Sequence, residues 1–259
     1  MKLNPILSII TINFNDVTGL KRTVNSVFGQ NNKEFEYIVI DGGSTDGSAA
    51  YINNNKTHFD YCISEPDKGI YNAMNKGILA AKGEYLLFLN SGDLLFGAET
   101  INNVIEILKS KTKDIFFGDL VNRKEQDTVE SYSEKITFKK FFDGSLPHPA
   151  SFIKRSCFLD DNLYDEDLKI VSDWKFFIVG IFKKNFSFEY IDQIITVYYL
   201  DGISSTNKEL DTYERQKILK QEFPLFYDDY LEYQMLKYYF RKYKLDLVKR
   251  WIVRLKNKM

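Results

Sequence analysis

In the first part of the chain, solid apolar runs alternate with segments whose apolar residues recur every three or four positions. Residues 6–12 are β-branched and mostly apolar, which predicts an interior strand, and Asn13-Phe14-Asn15-Asp16 ends it. Val17, Leu20, Val24, Val27 and Phe28 follow at helical spacing up to Gly29. Residues 35–40 predict a second strand ending at Asp41, and residues 61–64 a third. After Asp41 the run Gly42-Gly43-Ser44-Thr45 leads to a helix expected to begin near Asp46, with Ser44 or Thr45 as its cap. Ile70, Ala73, Met74, Gly77, Ile78 and Ala81 mark one face of another helix. Residues 85–89 are apolar throughout and bounded by Gly83 and Asn90, as in a strand covered on both faces of a parallel sheet. This rhythm means βαβ units with right-handed crossovers.

Beyond that the pattern loosens. Residues 98–109 form an amphipathic helix, 114–119 a strand, and 121–136 a polar stretch with room for hairpin strands, which together predict an antiparallel extension of the sheet. Residues 147–152 are a constrained turn into a short strand, and 159–170 an acidic loop. Ser172-Asp173-Trp174 opens an apolar helix over 175–182, and short strands follow at 188–191 and 194–199. Residues 201–205 read as a flexible turn. From Glu209 the chain is helical, interrupted at Phe223-Pro224. The expected organisation is an α/β domain over residues 1–205, a Rossmann-like mixed sheet flanked by helices, with a C-terminal helical extension over 206–259.

Composition narrows the chemistry. The 259 residues suffice for one large or two small domains, and 44% apolar with 27% charged is ordinary for a globular protein. A net charge of −1 gives no basic field for nucleic acid. Cys62 and Cys157 lie far apart among apolar neighbours, as reduced thiols do, and two histidines leave no zinc spacing. The apolar start is too short and too polar-ended for a leader or a membrane span, so a cytoplasmic protein is expected. There is no GxGxxG after the first strand and no GxxxxGK[ST], which argues against a dinucleotide-binding Rossmann domain and a P-loop NTPase. Instead the first, second and fourth strands end in Asn or Asp: Asn13 and Asn15, Asp41, Asp93. Ligands of open α/β sheets bind beyond those strand ends. Carboxylates and amides gathered there suit a nucleotide's base and ribose with a divalent cation.

The set Ser8-Ile9-Ile10-Thr11-Ile12-Asn13-Phe14-Asn15, Val39-Ile40-Asp41-Gly42-Gly43-Ser44-Thr45-Asp46-Gly47, Ser64-Glu65-Pro66-Asp67-Lys68-Gly69-Ile70-Tyr71-Asn72-Ala73-Met74-Asn75-Lys76-Gly77, Leu89-Asn90-Ser91-Gly92-Asp93 and His148-Pro149-Ala150-Ser151-Phe152 resembles the family-2 glycosyltransferases of the GT-A fold. These build bacterial surface polysaccharides, and the resemblance covers about residues 5–205. It implies an inverting transferase that uses a nucleotide-activated sugar, usually a UDP-sugar, with Mn2+ or Mg2+, and a lipid-linked or glycan acceptor. It implies that Thr11, Asn13 and Asn15 line the base and ribose pocket and that Asp41 accepts a hydrogen bond from uracil. Asp67 and Lys68 would flank the nucleotide, Ser91 and Asp93 would stand in the DxD position with Asp93 on the metal, and Asp173 would be the base. His148 and Tyr71 are candidates for contact with the acceptor or the diphosphate. Two departures stand out: Ser91-Gly92-Asp93 keeps one carboxylate of the DxD motif, and Ser172-Asp173 replaces the common Glu-Asp pair. The QxxRW motif of processive synthases is absent, so single additions are expected. The competing readings are a non-catalytic nucleotide-sugar-binding subunit, supported only by the single carboxylate, and a nucleotidyltransferase, for which residues 13–19 lack the Arg- and Lys-bearing phosphate loop.

In the tail, Phe240, Tyr243, Leu247, Trp251, Ile252 and Leu255 fall near one helical face. Arg241, Lys242, Lys244, Lys249, Arg250, Arg254, Lys256 and Lys258 face a single acid, Asp246. A basic amphipathic helix over 238–259 suits an anionic membrane surface, here the inner face of the cell membrane. The alternative is a helix that packs on the catalytic domain or on a second copy of the chain in a homodimer.

Overall fold

The computed structural model describes residues 5–123, 126–159, 162–199 and 207–256, with side chains omitted over 244–256. The chain divides into two compact units, Met1–Asp211 and Thr212–Met259.

The first unit is built on one mixed sheet. Strand β1 (Leu7–Asn13) is buried at all seven positions and lies parallel between β2 (Glu36–Asp41) and β4 (Tyr85–Phe88). Strand β3 (Tyr61–Ser64) continues the parallel part beyond β2. The order is completed by β8 (Ser151–Lys154), β6 (Ile115–Arg123), β9 (Phe188–Tyr199) and β5 (Leu94–Leu95), running β3-β2-β1-β4-β8-β6-β9-β5, and β7 (Thr128–Glu130) pairs with β6 off this path. Period two sorts the strand residues onto two layers. Leu7, Ile9, Val39 and Leu87 share a core with helices α1 (Val17–Phe28) and α4 (Thr100–Ser110), to which α2 (Ser48–Asn54) adds Ile52. On the opposite face Ile10 lies in register with Phe88 and meets α3 (Ile70–Ala80), where Gly77 is required: a Cβ there would stand 2.5 Å from the Ile10 side chain. Phe88 continues that layer into an aromatic cluster with Phe158, Tyr164 and, through Phe158 and Tyr164, Phe176. Phe176 belongs to helix α6 (Ser172–Phe182); the short α5 (Lys140–Asp143) precedes it in the chain.

Three expectations need correction. Helix α2 begins at Ser48 behind Gly47, whose φ of 102° only glycine adopts easily, and no side chain caps it. Ser44 is instead tied to Asp41. The two short strands expected at 188–191 and 194–199 are one strand, β9, and it runs parallel to β6 while β8, β7 and β5 supply the antiparallel pairs. The polar Asp192-Gln193 that suggested a break is an irregularity inside β9. Gly118 makes room for it, since a Cβ there would lie 2.6 Å from the Gln193 carbonyl oxygen. The hairpin allowed for within 121–136 is present, made by the end of β6 and by β7. The turn expected at 201–205 lies outside the described residues.

In the second unit, the helix Pro224–Lys256 starts with proline in the first turn, where a missing N–H costs nothing. Met235, Leu236, Tyr238, Tyr239, Phe240 and Tyr243 are all exposed on it. Among the described residues no helix is long and apolar enough to cross a membrane.

Candidate active site

Parallel pairing brings the carboxyl ends of β1, β2, β3 and β4 to one edge of the sheet. Asn13 is in register with Asp41, and Asp41 with Ser64. Beyond β4 the chain turns at Asn90-Ser91-Gly92-Asp93, with Gly92 at φ 102°. The Ser91 amide donates to the Ile12 carbonyl at 3.0 Å, and its hydroxyl to Asn13 Oδ1 at 2.7 Å. Thr23 of α1 closes the turn from below: its Oγ1 accepts from the Gly92 amide at 2.9 Å and donates to the Asp93 carbonyl at 2.8 Å.

Two cavities open over this turn. The larger, about 630 Å³, is walled by Asn13, Phe14, Asp16, Gly42, Asp67, Ser91 and Tyr199 among others. The smaller, about 260 Å³, holds Tyr71, His148, Tyr132, Lys169 and Asp173. Ile70, Asn90, Asp93 and Tyr198 belong to the walls of both, so Asp93 stands where the two meet. The larger has the size of a small-molecule site with a few converging polar groups.

The residues expected from the sequence divide clearly. Asn13, Asp67, Ser91 and Asp93 line the larger cavity, and Asp93, Tyr71, His148 and Asp173 the smaller. Asp67 is held by the Gly69 amide at 2.8 Å, and its carboxylate lies over Gly42, where a Cβ would be 2.5 Å away. Four others do not reach either wall. Thr11 is fully buried and bonds the Tyr37 hydroxyl at 3.0 Å. Asn15 is turned outward at φ 51°, its Oδ1 accepting from the Thr45 amide. Asp41 is 0% exposed and accepts from Asn13, from the Ser44 hydroxyl and amide, and from Ser64. Burial alone would raise its pKa; the donors Ser44, Ser64 and Asn13 outweigh that and hold it below the usual carboxylate range. Its acceptor sites are occupied by the protein, so it braces this edge of the sheet and has none left for a ligand. Lys68 lies on a separate groove with Asn72, Glu166 and Leu210.

The smaller cavity is organised by α3. Asn72 and Asn75 both donate to Glu166 at 2.9 Å, and Asn75 also donates to the Tyr164 carbonyl. Asp165 pairs with Lys175 at 2.7 Å. These acids of the 159–170 loop thus staple it down. Asp173, one residue into α6, faces the cavity, and its Oδ1 accepts from the Tyr71 hydroxyl at 2.8 Å. The cap of α6 is Val171, so Asp173 is not a capping residue. His148 is buried, bonds the Tyr164 hydroxyl at 2.8 Å and stacks on Phe88 at 5.0 Å. Burial lowers its pKa, against a smaller opposing pull from Asp173, so it is neutral near pH 7 and brings no charge to an anion.

Sequence reasoning passed over Phe14, Asp16, Asn90, Tyr198 and Tyr199. Phe14 is 65% exposed at the end of an interior strand, a signal of an aromatic kept for a ligand. Asn90 Oδ1 is buried without a hydrogen-bond partner on the wall of both cavities. Tyr198 and Tyr199 arrive through β9 and carry no local signal.

The residues also bear on a divalent cation. Among the described residues, no three His, Cys, Asp or Glu side chains cluster as a ready-made metal site. A hard cation that keeps waters and phosphate oxygens needs only one or two protein carboxylates. Asp93 together with the orphaned Asn90 oxygen is an all-oxygen donor set of that kind, and the residues fit.

The sequence pattern of Glycosyl transferase family 2 matches residues 8–161. An uncharacterized glycosyltransferase of Mycobacterium tuberculosis is 38% identical over 179 residues, 67% of this chain and 68% of that protein. A PGL/p-HBAD biosynthesis glycosyltransferase of Mycobacterium bovis is 27% identical over 209 residues, 78% and 80% of the two chains. Among solved structures, residues 1–349 of S. aureus TarS in complex with UDP-GlcNAc superpose with a TM-score of 0.69 at 19% identity, over 83% of this chain and 66% of that one, just under two thirds of its length. The mannosyltransferase PcManGT of Pyrobaculum calidifontis, in complex with GDP-Man and Mn2+, gives 0.60 at 16% identity over 86% and 64%. The fold is GT-A.

Proposed function

The chain belongs to glycosyl transferase family 2, and from that membership we propose that it moves one sugar, with inversion, from a UDP-sugar to a hydroxyl of a lipid-linked or glycan acceptor during cell-surface glycan synthesis. The observation that carries this reading is the meeting of two cavities at Asp93, one with nucleotide-sized volume and the other holding Asp173. The relative named for PGL/p-HBAD biosynthesis and the UDP-GlcNAc complex of TarS support the cell-surface setting and the donor class.

In this reading the larger cavity takes the nucleotide. Phe14 offers a ring to the base, Asp67 a carboxylate to its N–H or to ribose, and Asn13 and Ser91 fix the floor. Asp93 and Asn90 would hold the divalent cation, which when bound would offset the charge growing on the departing diphosphate. The acceptor enters the smaller cavity. Asp173 takes the proton of the attacking hydroxyl as the new O–C1 bond forms and the C1–O bond to UDP breaks on the opposite face. A panel of UDP-sugars incubated with the protein and Mn2+ is expected to show UDP release above the protein-free rate for at least one donor. Release from none, with GDP-sugars active instead, would replace the donor class.

The exposed aromatic residues of the helix Pro224–Lys256, with the basic residues of its C-terminal half, support peripheral attachment to the inner face of an anionic membrane. The protein is expected to pellet with vesicles containing anionic lipid, and to stay in the supernatant once the chain is cut after Tyr238. Equal pelleting of the two would remove this role from the helix.

A further inference from the structure

We infer that Tyr71 is the positioning residue of the reaction: its hydroxyl aims the Asp173 carboxylate at the acceptor and keeps it partnered before and after it takes the proton. This rests on the reading of Asp173 as the base. The Tyr71 hydroxyl lies 2.8 Å from Asp173 Oδ1 and 2.6 Å from the Ile170 carbonyl oxygen. A phenol has one proton and two lone pairs, so two acceptors compete for one hydrogen. While Asp173 is ionised, that hydrogen serves its Oδ1. Once Asp173 has taken the acceptor's proton on its other oxygen, Oδ1 still accepts from the Tyr71 hydroxyl. Asp173 Oδ1 therefore keeps a partner in both states, where a stranded buried acceptor would cost the desolvation of the group.

The surroundings make this arrangement rigid. Tyr71 is buried in the first turn of α3, its ring 5.7 Å from that of Tyr164. Ile170 ends the loop that Asn72 and Asn75 hold through Glu166 and Tyr164. Donor, carbonyl and carboxylate are therefore carried on elements fixed to one another. Burial, and then the charge of Asp173, push the Tyr71 pKa well above its usual value, so it remains a proton donor to Asp173 and does not itself become the base. The hydroxyl is engaged by Asp173, the Ile170 carbonyl and the backbone of Ser172 and Asp173, which leaves contact with the diphosphate to other residues.

The test uses the full-length protein with Mn2+ and the UDP-sugar that releases UDP fastest, with water as acceptor. Tyr71→Phe keeps the ring and is expected to lower kcat ~10- to 100-fold, as small misplacements of reacting groups do. KM for the UDP-sugar and the UDP affinity should stay near wild type. In the Asp173→Asn background the same change should cost nothing more, because there is no carboxylate left to aim. Full multiplication of the two losses would overturn the proposal, as would a wild-type rate for Tyr71→Phe beside an inactive Asp173→Asn; both leave the base assignment standing. A wild-type rate for Asp173→Asn would remove the base reading and this proposal with it. Should Tyr71→Phe fold poorly, Tyr71→ring-fluorinated tyrosine keeps every contact and alters only the acidity of the hydroxyl. A changed rate then supports the proposal, and an unchanged one overturns it.

Discussion

Asp173→Asn is expected to lose ~10²–10⁴-fold in sugar transfer, the usual contribution of a general base, while binding UDP as wild type does. The two halves of that expectation come from separate parts of the site. The amide is nearly isosteric and still accepts from the Tyr71 hydroxyl, so α6 and the Ile170 loop keep their places. What disappears is the negative lone pair that takes the acceptor's proton. In the proposed reading the nucleotide takes the other cavity, whose wall does not include Asp173. Calorimetry with UDP and Mn2+ should therefore give an unchanged affinity alongside a collapsed rate. Retention of the full rate would hand the role to another group. Asp165 and Glu166 are poor replacements, being engaged by Lys175 and by Asn72 and Asn75.

How much of this was legible beforehand depends on whether a residue's task is set by its own stretch of chain. β1 and β4 were, because a run buried on both faces is mostly apolar or β-branched. The turn at Asn90–Asp93 was, because it must follow such a run. Thr11 was placed at the pocket by resemblance alone, and strand period takes it elsewhere. It shares a strand face with Leu7 and Ile9, which pack under α1, so its hydroxyl meets Tyr37 in the interior. Asp41 misled for a different reason: two of the groups that saturate it, Asn13 and Ser64, sit on neighbouring strands and are visible only once register is known. The same holds for Tyr198, which joins the site through β9, and for the link from Tyr71 to Asp173, which spans 102 positions of sequence. Local pattern thus sets where the chain offers chemistry, and sheet register decides which offers face the cavity.

Asp93→Ala is expected to reduce turnover by ~10³-fold, the scale of removing one group that stabilises developing charge, and its effect on UDP binding should depend on whether metal is present. The reason is sign. Asp93 is 5% exposed at the junction of the cavities, so its charge is only weakly screened by water. Without a divalent cation, that carboxylate faces a diphosphate of like charge and repels it; alanine removes the repulsion, and UDP should bind as well as to wild type or somewhat better. With Mn2+ the carboxylate would be a ligand of the cation, whose charge offsets that of the diphosphate, and alanine should weaken UDP markedly. Titrating UDP into both proteins with Mn2+ and then with EDTA separates these regimes in one experiment. A crossover in affinity fits Asp93 as the metal ligand. Equal weakening with and without Mn2+ would mean that Asp93 supports the shape of the Asn90–Asp93 turn, and the charge on the leaving group would have to be met elsewhere. Arg22 would be the first residue to test: its guanidinium lies over the Tyr199 ring at 4.5 Å, and one of its nitrogens is 3.8 Å from where a Cβ on Gly92 would stand.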